Sequence, residues 1–307
     1  MNHLRRNFES PIDRDWRTEL KRLEGAYAPS TMKSYRVNVE IFVSWCELRQ
    51  RVAFPASEET LAKFLEEQAE TCSISTIRQR FYAIRKFHRL LELEDATDTE
   101  EINLVLRRIR RSKVSRPKQA KALNRDHRDR LLSAQPNTPW GLRDKAIIAL
   151  GYDILARRSE LVALKTSDVV FRDDGTARVT IRRSKADQFG SGRTAFTSHK
   201  TATLLKDWLN WHRDASTYLF CPIHQYLPLD RSLNPTTIKR VIKKAAKNAG
   251  FSKADIAAFS GHSMRVGAAQ DLLCAGHDSI AIMRAGGWKS TNVLARYLEH
   301  ANYNVWA

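Results

Sequence analysis

The stretch from Ser260 to His300 fixes the spacing of four chemically suggestive side chains, and the rest of the chain must fold around it. It parses into three short helices separated by turn signals. Ser263 to Cys274 is apolar at helical spacing and stops at Ala275-Gly276. Asp278 is placed to cap a second helix that ends at Gly286-Gly287. Ser290 or Thr291 is placed to cap a third, which carries Tyr297. His262 and Arg265 are three residues apart and share a face if helical. With Trp288 and Tyr297 around glycine-rich turns, they suggest a phosphate site served by a hydroxyl nucleophile.

Upstream, the periodicity is again helical. Asp15 to Glu24 puts Trp16, Leu20 and Leu23 on one stripe. After the break at Tyr27-Ala28-Pro29, Ser30 is expected to cap a longer helix. Its apolar face is Tyr35, Val39, Phe42 and Val43, and Lys33, Arg36 and Asn38 lie opposite. Ser57 begins a helix through Leu61, Phe64 and Leu65. Ser73 to Leu91 is a fourth helix, with Ile77, Phe81, Ile84 and Phe87 inward and Arg78, Gln79, Arg80 and Lys86 outward. Glu100 to Arg111 is a fifth. Residues 1–112 therefore read as an all-α DNA-binding domain with two basic faces.

Between Val105 and Lys121 stand eight basic residues and no acid: Arg107, Arg108, Arg110, Arg111, Lys113, Arg116, Lys118 and Lys121. The second half of this run contains Pro117 and has no apolar periodicity. Residues 113–121 thus read as a basic linker, suited to cross a phosphate backbone. A third domain-scale feature follows over residues 122–307. Asn124 caps a helix through Leu131, and Trp140 to Leu155 is apolar enough to be core. Val169 to Phe171 and Ala177 to Arg183 alternate about an Asp-Gly turn, as a β-hairpin does. Arg193 to Thr197 is a candidate third strand. Thr201 to Arg213 and Pro235 to Ala249 are further helices, the latter lined by Lys239, Arg240 and Lys243.

Composition points the same way. The 307 residues hold 52 Lys+Arg against 34 Asp+Glu, a formal charge of +18, clustered on the faces just named. Such a balance implies a polyanionic partner, with nucleic acid the default. The four cysteines are not paired as C-x-x-C, and no Cys/His group has zinc-ligand spacing. They read as reduced thiols, and no metal site is expected. The first ten residues lack an apolar run, and no segment is long enough to span a bilayer. A cytoplasmic, nucleoid-associated location away from any membrane is the expectation.

In order along the chain stand Arg157-x-Ser159-Glu160-Leu161 after an apolar helix, Lys185 at the end of the hairpin, His262-x-x-Arg265, Gly286-Gly287-Trp288 and Tyr297. This ordered set resembles the tyrosine site-specific recombinases of the phage integrase family, from about Gly25 onward. The resemblance implies two mainly α domains, the catalytic one with a small antiparallel sheet, closing on DNA as a C-shaped clamp. It implies a homotetramer on DNA, monomeric or weakly dimeric when free, acting on double-stranded inverted-repeat sites. A prokaryotic, phage or plasmid origin follows with it.

The residue types suit that chemistry in their own right. Attack on a phosphodiester requires a nucleophile, cations for the non-bridging oxygens and a proton for the leaving 5′-oxygen. Tyr297 offers the hydroxyl and would hold the strand as a 3′-phosphotyrosine, so no ATP or other cofactor is called for. The chain has no Walker-type phosphate loop. Arg157 and Arg265 supply fixed forks for the phosphate oxygens. Lys185 is the candidate general acid, with Lys200, Arg182 and Arg183 as alternatives. His262 would handle the tyrosine proton or bond to the phosphate. Trp288 offers one indole N–H and a wall, and Glu160 would hold an arginine or the histidine.

By the same resemblance, Lys33 and Gln79 are candidates to read base edges, with Arg36, Arg78, Arg80 and Lys86 beside them. Thr236, Lys239, Arg240 and Lys243 are candidates for the opposite face of the duplex. The segment after Tyr297 carries Tyr303, Val305 and Trp306 and is too apolar for a free tail, so it docks either on its own chain or on a neighbouring copy. Two further functions remain open: a related tyrosine phosphodiester enzyme, such as a type IB topoisomerase or telomere resolvase, and a non-catalytic DNA-binding regulator.

Overall fold

The computed structural model describes residues 15–113, 119–182 and 192–304. The chain divides into two compact units, Met1–Pro117 and Lys118–Ala307.

The first unit is all helix: α1 (Trp16–Lys21), α2 (Pro29–Leu48), α3 (Glu58–Thr71), α4 (Ile74–Leu90) and α5 (Glu100–Ser112). Side chains capping the backbone set several starts. Asp15 accepts from the Arg17 N–H, Ser57 from that of Thr60, and Ser73 from that of Thr76. Ser30 is not the cap of α2. Helix α2 starts two residues earlier than a Ser30 cap would put it, at Pro29, with Ala28 at the cap and no side-chain bond. Proline's ring fixes a helical φ, which suits it to the first helical position. Phe42, Trp45, Leu61, Phe64, Ile77, Phe81, Ile84, Ile102 and Val105 form one core cluster. Trp16, Val39, Phe87 and Leu91 form a smaller one between α1, α2 and α4.

The second unit opens with α6 (Arg125–Ser133), α7 (Pro139–Asp153) and α8 (Arg158–Ala163). Three antiparallel strands follow in the order β1 (Val169–Phe171), β2 (Ala177–Ile181), β3 (Arg193–Phe196). Val169 pairs with Val179, and Val179 with Ala195. The Asp-Gly turn forms as expected: Gly175 takes a φ of 75°, and the Asp174 carboxylate accepts from the Thr176 N–H. The unit continues with α9 (His199–His212), the two-residue strands β4 (Ile223–His224) and β5 (Leu227–Pro228), then α10 (Pro235–Asn248) and α11 (Lys253–Ala258). The final elements are α12 (Ser263–Cys274), α13 (Ser279–Gly286) and α14 (Thr291–Leu298).

Helix α7 is the axle of this unit. Ala146 to Leu150 is buried all round, and α6, α9 and α12 pack on it. A helix apolar on every face belongs in the middle of a core. The three short C-terminal helices fall where their turn signals put them. Asp278 caps α13 by accepting from the Ala281 N–H. Ser290 occupies the cap position of α14 but makes no side-chain cap bond. The two ends of the basic run are each packed on their own unit. Lys113 Nζ donates to the Cys72 carbonyl. Gln119 donates to the Arg296 carbonyl, and Lys121 is paired with Asp255. Among the described residues, no helix is long and apolar enough to cross a membrane.

Candidate active site

The C-terminal end of α7 is where the site begins. A helix end leaves carbonyls without intrahelical partners and carries partial negative charge. Here two guanidiniums take them up. Arg193, at the start of β3, donates Nη2 to the Ile154 carbonyl at 2.9 Å. Arg265, in the first turn of α12, donates Nη1 to the Leu155 carbonyl. Leu155 presents that carbonyl from a left-handed backbone (φ 49°), a conformation costing a leucine on the order of 1–2 kcal/mol.

Arg157 follows two residues later, as the cap residue of α8. Glu160, one turn on, is buried and binds back to it. One carboxylate oxygen accepts from Arg157 Nη1 at 2.6 Å, and the other accepts from the Arg157 backbone N–H at 3.0 Å. Arg193 Nη2 approaches that second oxygen at 3.4 Å. Burial alone pushes the Glu160 carboxyl up. The bonds from Arg157 and the charges of Arg157 and Arg193 outweigh it and hold the carboxyl below its usual range. Glu160 thus holds arginines and makes no bond to His262.

Arg265 is fully buried. Its guanidinium carbon sits 3.8 Å from the Trp288 ring centroid and 5.5 Å from that of Tyr297. The two rings meet edge to face at 5.0 Å and 65°. Burial, then the like charge of Arg157, lowers the Arg265 pKa to about 10. Arg265 Nε and Nη2 and Trp288 Nε1 are buried and have no hydrogen-bond partner among the described residues. Three donors gathered beside a tyrosine, in a pocket where guanidiniums outnumber the one carboxylate, suit an anion.

Backbone geometry aims the tryptophan. A Cβ on Gly286 would lie 2.0 Å from Trp288 Cζ3, so only glycine lets the indole fold back over α13. Gly287 is left-handed (φ 65°) and lies against the Arg193 side chain. Tyr297, half-buried on α14, is held through its main chain, where the Gln270 amide donates to its carbonyl at 3.0 Å. His262 is the cap residue of α12 and lies at the surface. The protein crowding its ring, then the charges of Arg158, Arg265 and Arg157, hold its pKa below the usual histidine range, so the neutral imidazole prevails at physiological pH.

The site therefore gathers Arg157, Glu160, Arg265, Trp288 and Tyr297, with His262 at its edge. Position 185 lies outside the described residues, as does Arg183. Of the other lysine and arginine alternatives, Arg182 is tied to buried Asp168 at 2.6 Å and Lys200 to Asp129 at 3.0 Å. Sequence reasoning missed Arg193. Its signal was an arginine in register with inward-facing Ala195 on an alternating strand, where a charge needs buried partners.

Of the candidate DNA contacts, Lys33, Arg36, Arg78, Gln79, Arg110 and Arg111 are exposed on α2, α4 and α5, as are Lys239 and Arg240 on α10. Arg107 and Arg108 are exposed but pair loosely with Glu100 and Glu101. Arg80 is half-buried, Lys86 lies over the Tyr27 ring, and Lys243 donates to the Ala257 carbonyl. The Thr236 hydroxyl joins the Asn234 cap of α10. These four side chains already have protein neighbours.

A model of the phage integrase family matches residues 121–304, and one of the integrase N-terminal SAM-like domain matches residues 17–95. The chain belongs to the phage integrase family. The family match spans every gathered site residue from Arg157 to Tyr297. Among curated relatives, "Recombinase cre" of Escherichia phage P1 is 29% identical over 292 residues, covering 90% of this chain and 85% of that protein. An "Integrase/recombinase xerD homolog" of Selenomonas ruminantium is 28% identical, covering 95% and 88%. A solved XerH site-specific recombinase bound to palindromic difH substrate has a TM-score of 0.64 at 19% identity, covering 90% of this chain and 77% of that one. A lambda integrase dimer bound to a COC' core site has a TM-score of 0.61 at 15% identity, covering 94% and 96%. Tyrosine recombinases of this family cleave and rejoin DNA, and the two-unit, mainly helical fold of this chain is theirs.

Proposed function

We propose that this integrase-family chain is a site-specific recombinase that exchanges strands between two inverted-repeat DNA sites through a 3′-phosphotyrosine intermediate. The observation that carries the reading is the set of buried, unpaired donors on Arg265 and Trp288 beside the Tyr297 ring. The Tyr297 oxygen attacks the scissile phosphorus, and the bond from phosphorus to the 5′-oxygen breaks. Arg157 and Arg265 take the charge that builds on the non-bridging oxygens, and Trp288 donates its indole N–H to one of them. Neutral His262 accepts the phenolic proton or bonds to the phosphate. Lys185 supplies a proton to the leaving 5′-oxygen. Attack by a 5′-hydroxyl from the second site then reverses the step and frees Tyr297. Each transfer exchanges one phosphoester for another, so no cofactor is consumed.

A tetramer on two sites accounts for exchange of strand pairs, and the palindromic substrate of the XerH structure supports inverted-repeat sites. The exposed basic residues of α2, α4 and α10 are the DNA contacts, most of them to phosphates. A sequence selected from a random library, prepared as a nicked suicide substrate, tests the mechanism. Wild type should yield an SDS-resistant adduct and Tyr297→Phe none, with DNA affinity unchanged. No adduct from bound wild type, or an adduct from Tyr297→Phe, overturns it. Exchange between two sites, as against relaxation of one plasmid, separates a recombinase from a type IB topoisomerase.

A further inference from the structure

The groups assigned to the phosphate come from segments far apart in sequence, and one side chain ties two of those segments together. Arg193 Nη1 donates to the Ala285 carbonyl at 2.6 Å, at the end of α13 and three residues before Trp288. Its Nη2 donates to the Ile154 carbonyl at 2.9 Å, three residues before Arg157, and approaches Glu160 Oε2 at 3.4 Å. Its aliphatic stem lies against Gly287, where an added Cβ would sit 2.8 Å from Cδ. The side chain is 13% exposed, so these contacts are made largely out of water.

We propose that Arg193 is the positioning residue of this active site, a strut fixing the Arg157–Glu160 pair and the Trp288 turn at one distance from each other. The inference rests on the reading of Arg157, Trp288 and Tyr297 as the reacting site. Both Arg193 Nη groups are spent on protein, and its Nε, buried without a partner among the described residues, lies against Gly287, so no phosphate contact is assigned to it. Its fork spends each end on a different segment, and β3 anchors its base. Without it, Glu160 is held by Arg157 alone and can turn about its own χ angles, carrying the Arg157 guanidinium with it. The Ala285 carbonyl, and with it the turn that aims the indole, loses its tie to α7. The planar fork matters as much as the charge, because a lysine ammonium lacks two divergent donor edges.

The test is single-turnover cleavage of the suicide substrate by R193M and R193K, with DNA affinity measured in parallel. A displacement near 1 Å costs about 100-fold in rate. R193M should cleave on the order of 100-fold more slowly and R193K on the order of 10-fold more slowly. Both should bind DNA within about twofold of wild type, since no contact with it is assigned to Arg193. R193K keeps the charge beside Glu160 and serves if R193M fails to fold. Because part of the strut's effect runs through Arg157 and part through the Trp288 turn, R193K should slow R157K by less than it slows wild type. Wild-type rates from R193K overturn the proposal. So do equal losses in affinity and cleavage, or fully multiplicative losses in the double variant. If wild type itself forms no adduct, the site reading has failed, and the result is distinct from any of these.

Discussion

Replacing Arg265 with methionine should slow cleavage severely while leaving the fold as stable as before, or more so. The charge on this buried guanidinium is poorly supported. Burial, then the like charge of Arg157, brings its pKa down to about 10, and at about 1.36 kcal/mol per pKa unit that drop costs the charged folded state about 3 kcal/mol. Against that stands the bond to the Leu155 carbonyl, worth about 1–3 kcal/mol including the cost of leaving that oxygen unpaired. Methionine fills most of the vacated space and replaces the cation over Trp288 with a sulfur–aromatic contact. The balance is a gain of about 0–2 kcal/mol, or roughly 0–6 °C in thermal midpoint for a unit of this size. Cleavage should fall by about 10²–10³, the loss usual when one donor to a developing oxyanion is removed. Differential scanning fluorimetry and the suicide-substrate assay read the two quantities from one preparation. A midpoint more than about 4 °C below wild type would mean that the guanidinium holds the fold together. Cleavage within tenfold of wild type would mean that it does not serve the phosphate.

Gly286→Ala places a methyl 2.0 Å from Trp288 Cζ3, so the indole must leave the Arg265 face. Single-turnover cleavage should drop about 100-fold with DNA affinity retained, and an unchanged rate would show that indole placement is irrelevant. His262, held down first by the protein packed about its ring and then by Arg158, should titrate by NMR below the ordinary histidine value near 6.5 in DNA-free protein. Arg158→Gln should raise that midpoint. A wild-type midpoint at or above the ordinary value would contradict the electrostatics described for this corner.

Much of this was legible because the chemistry travels with local signals. His262, Arg265 and Trp288 sit beside caps and glycine turns that fix helix ends, and those turns survive folding with little change. The five helices of the first unit follow from apolar spacing alone. What was not legible depends on contacts between distant segments. Arg193 carries no local signature beyond an inward register on a short strand, and its partners lie 33 to 92 residues away. The strands β4 and β5 are two residues each, too short for an alternation to register. Helix α2 begins at Pro29, whose fixed φ suits the first helical position, and not after the serine beside it.

The attachment of two arginines to the end of α7 has a consequence for safety in the cell. The carbonyls of Ile154 and Leu155 are correctly presented only when α7 is seated in its core. The cations meet Tyr297 only when β3, α12 and α13 have also arrived. On the proposed mechanism, a partly folded copy would keep the charge that holds DNA but lack the assembled site that nicks it.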